Sequence, residues 1–142
     1  MVKNITCIIL TKNSTENIVN IEYASSVFEK IIVVDDFSED GTIEKIKEID
    51  KESRIKVYKR KLDDFSSQRN FASNLSTTDW VFHLDSDERL DEVLVKELIQ
   101  LDTKICNTSM IAFKVERKNF FVDMYIGSEL KIRLFNKNVL SF

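Results

Sequence analysis

Ile31-Ile32-Val33-Val34-Asp35-Asp36-Phe37-Ser38-Glu39-Asp40-Gly41-Thr42 is the stretch on which the fold turns. Residues 30–34 form a short apolar run, the pattern of a strand buried on both faces. It ends in two carboxylates. Thr42–Ile49 then carries Ile43, Ile46 and Ile49 three apart with Glu and Lys between them, which is an amphipathic helix. Strand, acidic turn and helix make one βα unit, and the same alternation extends in both directions. Upstream, residues 5–10 are a second apolar run, and residues 14–28 place Ile18, Ile21 and Phe28 at roughly helical spacing. Downstream, Ile55–Lys59 alternates as a half-buried strand, and residues 66–75 predict a helix with Phe71, Ala72 and Leu75 inward. Residues 80–84 predict a further strand. Residues 91–101 predict a helix with Leu94, Leu98 and Leu101 on one stripe and Asp91 as its N-cap. Residues 110–115 and 131–135 predict two late strands, with an aromatic segment at 120–125 between them that is expected to be core. The expectation is an α/β fold with a doubly wound, mostly parallel sheet flanked by helices.

Bulk properties narrow the function without naming it. A chain of 142 residues with 43% apolar content buries one sizeable core, so residues 1–142 are expected to be a single domain. A net charge of -3 leaves no basic field to recruit nucleic acid. No apolar run approaches the roughly 18–20 residues that span a bilayer, and residues 1–12 lack a small-residue cleavage site. Cys7 and Cys106 lie far apart, and Cys7 sits in a strand-like run as a buried thiol. A cytoplasmic location follows, with peripheral contact at the inner membrane face as a further expectation. The lone His83 excludes a multi-histidine metal site. With two glycines and no proline, neither a P-loop nor a GxGxxG fingerprint exists, which removes P-loop NTPases and ordinary Rossmann dehydrogenases.

Ligands of open α/β sheets sit beyond the carboxyl ends of the strands. Three polar clusters fall there: Thr11-Lys12-Asn13, Asp35-Asp36, and Asp85-Ser86-Asp87-Glu88. Carboxylates gathered at one edge repel one another and need a cation or a donor-rich ligand. Asp85 and Asp87 project to the same side of an extended backbone. Two hard oxygen donors in that arrangement suit Mg²⁺ or Mn²⁺. Structural readings stand beside these: Asp36 caps a turn with Ser38, Asp35 holds the backbone, and Arg69 pairs with an Asp on a helix surface. The basic run Arg54, Lys56, Lys59, Arg60 and Lys61 reads as a solvated face.

Four motifs carry a resemblance. Residues 5–13 and 31–42, then Gln68-Arg69-Asn70-Phe71-Ala72, then Asp79-Trp80-Val81-Phe82-His83-Leu84-Asp85-Ser86-Asp87-Glu88, are similar in order and interval to the nucleotide-sugar-binding part of inverting, GT-A-fold glycosyltransferases of family 2. The Thr-Lys-Asn start and the Asp-Glu ending resemble the branch that decorates lipopolysaccharide core or peptides. The resemblance implies a nucleotide-sugar donor, UDP-linked, and a glycan, lipid-linked or peptide acceptor. It implies that Thr11 and Asn13 line the base and ribose pocket, that Asp36 accepts from the base imide, and that Arg69 serves the base and phosphates. It further implies that Asp85 faces the ribose or the metal, and that Asp87 binds the metal directly, so that the metal neutralises the departing diphosphate.

An inverting transferase also needs a general base. In the family that carboxylate lies beyond a strand like residues 131–135, and here only Asp123 and Glu129 are late and acidic, neither in a recognisable motif. No catalytic base is therefore named. The chain is expected to be either part of a longer enzyme or a module that binds donor without transferring it. An unpaired sheet edge would make a homodimer. A phosphoacceptor receiver domain would also place acidic residues after two strands, but the extra βα unit before Asp35 and the early Lys114 argue against it.

Overall fold

The computed structural model describes all of residues 1–142. Six strands form one sheet: β1 (Ile5–Thr11), β2 (Ile31–Asp35), β3 (Ile55–Lys59), β4 (Trp80–Asp85), β5 (Ala112–Phe121) and β6 (Met124–Asn136), in the order β3-β2-β1-β4-β6-β5. Four helices connect them: α1 (Ile18–Val27), α2 (Thr42–Ile49), α3 (Phe65–Asn74) and α4 (Glu92–Asp102). The first four strands pair in parallel, and β6 joins β4 in the opposite sense.

The layering follows from handedness. Successive crossovers from β1 to β2 to β3 step outward, whereas α3 leads back across two strands to β4. Right-handed connections therefore put α1 and α2 on one face and α3 on the other. Burial agrees. Ile5, Cys7 and Ile9 of β1 pack with Ile21 and Ala24 of α1, Ile46 of α2 and Leu98 of α4. The alternate Ile8, with Val34 and Val81, packs beneath Ala72 of α3. Phe28 stacks on Phe82 at 5.7 Å in the larger core, and burial drives the Cys7 thiol far above its usual pKa, so it stays protonated.

Three expectations are corrected. The helix predicted over residues 14–28 starts as one 3-10 turn, Thr15–Asn17, and becomes α-helical only at Ile18. The two late strands and the aromatic segment between them are a single antiparallel hairpin, turning at Val122 and Asp123 with φ of 46° and 62°. Positive φ at both central residues matches the twist of a two-residue hairpin loop. Phe120, Phe121, Met124 and Tyr125, expected in the core, are instead exposed around that turn. No helix is long and apolar enough to cross a membrane.

Candidate functional site

Register decides which side chains meet. Thr11 lies beside Asp35 across the β1–β2 ladder, and Leu10 lies beside Asp85 across the β1–β4 ladder. The three polar clusters therefore open at one level, at the carboxyl edge of the sheet. Between β1 and β4 the crossovers diverge to opposite faces, which leaves a crevice there.

The β1–β2 half is a hydrogen-bonded lattice. The buried Thr11 hydroxyl donates to Asp35 Oδ1 at 2.8 Å. Asp35, wholly buried, also accepts from the Ser38 N–H at 2.8 Å and the Ser38 hydroxyl at 2.5 Å. It is a structural carboxylate that shapes its own turn. Asn13, at φ 46°, donates its N–H to Ser38 Oγ at 2.8 Å and accepts from the Glu39 N–H at 2.9 Å. The loops after β1 and β2 are thereby tied together. Asp36 accepts from the Leu62 N–H at 3.0 Å and from Lys12 Nζ at 2.6 Å. The Lys12 bond and the Leu62 N–H hold its carboxyl below the usual carboxylate range. The Lys12 side chain is 61% exposed and that of Asp36 12%, so this bond joins a largely buried acid to an exposed base.

The β4 half is saturated with arginine. Asp85 accepts from Arg69 of α3 at 2.8 Å and from Arg133 of β6 at 3.1 Å. Burial alone would raise its pKa, but the two guanidiniums outweigh burial and lower it. Glu88 pairs with Arg133 and, at 3.5 Å, with Arg117 of β5, and it accepts the Asp85 N–H at 3.1 Å. The Arg69 guanidinium also faces the Phe65 and Phe142 rings at 5.8 and 5.2 Å. Asp87 is exposed and takes part in none of these pairs. The cation that the acidic cluster demanded is thus supplied by the chain itself. No three His, Cys, Asp or Glu side chains are grouped to hold a metal.

A cleft of about 980 Å³ lies between the loop after β4 and the hairpin, lined by Asp85, Asp87, Glu88, Val115, Arg117 and Arg133 among others. Thr11, Asp36 and Arg69 do not line it. The two regions meet at the end of β4.

Three cations that pair with these carboxylates escaped the sequence reading: Lys12, Arg117 and Arg133. Lys12 stood inside a quoted motif. Arg133 carried a signal of its own, since period two puts it on the same sheet face as the buried Phe135, where a charge needs a partner.

The description of glycosyl transferase family 2 fits this chain from residue 6 to residue 137. The chain belongs to that family. It is 27% identical over 150 residues to an uncharacterized glycosyltransferase of Rickettsia prowazekii, covering 99% of this chain and 49% of the relative. Against one from Rickettsia conorii it is 25% identical, covering 100% of this chain and 51% of the relative. This family 2 chain thus spans about half the length of the curated relatives it matches. S. aureus TarS 1-349 in complex with UDP-GlcNAc superposes with a TM-score of 0.59 at 22% identity, over 72% of this chain and 32% of TarS. The 4-diphosphocytidyl-2C-methyl-D-erythritol synthase of Anaerococcus prevotii superposes with a TM-score of 0.65 at 16% identity, over 96% of this chain and 71% of the synthase. At such identities these likenesses establish the GT-A-like fold alone.

Proposed function

We propose that this family 2 chain takes a UDP-linked sugar and transfers it, with inversion, to a glycan, lipid-linked or peptide acceptor in the cytoplasm, at or near the inner membrane face. The observation that carries the proposal is the family match over residues 6–137 on a chain whose Thr11, Asp36, Arg69 and Asp85 converge at the carboxyl ends of β1, β2 and β4. Asp36 offers a fixed acceptor to the imide N–H of uracil once Lys12 swings aside, and Thr11 and Asn13 hold the walls on which base and ribose rest. Arg69, already facing two aromatic rings, turns its charge toward the diphosphate.

The residues fit a divalent cation through one free ligand. Asp87 is an exposed hard-oxygen donor with no partner, whereas Asp85 has both oxygens engaged by arginines. Mg²⁺-type ions use one or two carboxylates and complete their shell with water and phosphate. Mn²⁺ or Mg²⁺ held by Asp87, with Asp85 behind it, would supply charge neutralisation on the leaving diphosphate.

A second reading, donor binding without transfer, has its own support. Glu129 is paired with Arg117 at 2.6 Å and Lys131 at 3.5 Å, and Asp123 sits in the hairpin turn. Glu129 is therefore not a free general base, and Asp123 does not line the cleft beside Asp85. Calorimetric titration with UDP in Mn²⁺ and in EDTA, beside GDP, CDP and ADP, tests both readings. We expect metal-dependent binding selective for UDP, lost in Asp87→Ala and weakened about tenfold, or about 1.4 kcal/mol, in Asp36→Ala. If no nucleotide binds, the donor proposal falls. Release of UDP from a UDP-sugar with acceptor present supports transfer, and binding without release supports the second reading.

A further inference from the structure

β1 runs between β2 and β4, so the loop that leaves its end borders both halves of the site. Asn13 of that loop is bonded to Ser38 and Glu39 after β2. Ser14 Oγ lies 3.3 Å from Ser86 Oγ after β4. Lys12 opens the loop, and its exposed ammonium has a single partner, Asp36 Oδ2 at 2.6 Å. The other oxygen of Asp36 takes the Leu62 N–H at 3.0 Å. The oxygen left for the imide N–H of a base is therefore the one that Lys12 holds.

This pairing treats two kinds of ligand differently. A neutral nucleoside has to displace the ammonium from a largely buried carboxylate and offers it no anion in return. A nucleoside diphosphate displaces it too, but brings phosphates to the side of Arg69 and the crevice between β1 and β4. A lysine there is a compact charge on a flexible four-carbon stem, able to lean to either side of β1. Asp36 remains ionised when the ammonium leaves, because the Leu62 N–H and the nearby Lys61 also favour its charged form.

We propose that Lys12 is a specificity-determining residue that guards Asp36 in the empty site and passes to the diphosphate of a bound donor. The site thereby favours UDP over uridine by exchanging one ion pair for another. This rests on the donor-site reading above and deepens it, since base recognition at Asp36 is coupled to the charge carried further along the ligand.

Two effects of opposite sign separate this role from simple support of the fold. Lys12→Met keeps the stem and removes the charge, at a side chain that is 61% exposed. Binding of uridine and of UDP, each in Mg²⁺, is followed by amide shifts in nuclear magnetic resonance titrations, with melting to verify folding. Lys12→Met is expected to bind uridine about threefold to fivefold more tightly than the parent, the scale of one partly exposed ion pair. It is expected to bind UDP about fivefold more weakly, because the diphosphate offers the ammonium more charge than one carboxylate did. Lys12→Arg, which keeps a cation on a long stem, is expected to stay within about threefold of the parent for both ligands.

A folded Lys12→Met protein whose affinity for uridine does not rise, or whose affinity for UDP does not fall, overturns the inference. The two proposals fail distinguishably. A parent that binds no UDP removes the donor site and this role of Lys12 with it. A parent that binds UDP, with the wrong sign for either ligand in Lys12→Met, removes the role of Lys12 alone.

Discussion

His83 lies inside the sheet with Ser73 Oγ 3.0 Å from its Nε2 and the Phe135 ring stacked at 5.4 Å. Burial, with smaller contributions from Arg69 and Arg133, pushes its pKa down from 6.5 to about 3. The imidazole is therefore neutral in the fold, while an unfolded chain protonates it near its ordinary value. Its contribution is fully present above pH 6.5 and is lost as pH falls toward 3. Between about pH 6.5 and 4.5 the loss is on the order of 2–3 kcal/mol, at about 1.4 kcal/mol per pH unit. Urea denaturation across that window should show this slope in the parent and lose it in His83→Gln. Asp36 and Asp85, whose carboxyls are held low, add their own acid sensitivity only at lower pH. The sequence located His83 in a strand and no more, because its environment comes from Ser73 and Phe135, which no local window joins. Asp35 was legible as structural and is so. Asp36 and Arg69 were legible as polar groups at the carboxyl edge of the sheet, and Arg69 also as the partner of an Asp, but which Asp it meets, and that Lys12 meets Asp36, were not.

At the scale of elements, the end of α4 illustrates what local chemistry can settle. Asp91 accepts from the Leu94 N–H at 2.8 Å, and that bond, with a smaller one from Lys118, lowers its carboxyl pKa. Asp91→Ala should cost about 1 kcal/mol by chemical denaturation, with Asp91→Asn retaining most of it. Helices and strands with clean periodicity came out of the sequence nearly to the residue, as Thr42–Ile49 and Ile55–Lys59 did. The hairpin did not. Its turn uses Val122 and Asp123 where Asn-Gly would have announced it, so two strands looked separate. The start of the first helix was also hidden, because the Ser14 N–H goes to Thr42 Oγ1 at 2.8 Å, a tertiary bond across 28 residues.

At the scale of the whole molecule, aromatic residues divide into two populations that composition cannot separate. Phe82 is buried against Phe28, whereas Phe121 is 66% exposed on the hairpin. Phe82→Ala should cost about 3–5 kcal/mol in unfolding free energy, and Phe121→Ser less than about 0.5 kcal/mol. An equal cost at the two positions would mean that the hairpin is packed against something in solution. Charge balance is another property of the whole. The acidic cluster was visible in sequence, but Arg133 answers Asp85 from 48 residues away. The central place of β1 has a further consequence, for synthesis. Its neighbour β2 follows soon, but its other neighbour begins at Trp80, 75 residues after Ile5. At about 5–20 residues per second, a ribosome needs on the order of 4–15 s to make that intervening length. Through that interval one edge of this buried strand waits without its partner, so chaperone occupancy of the nascent chain should peak before β4 emerges and fall once it has.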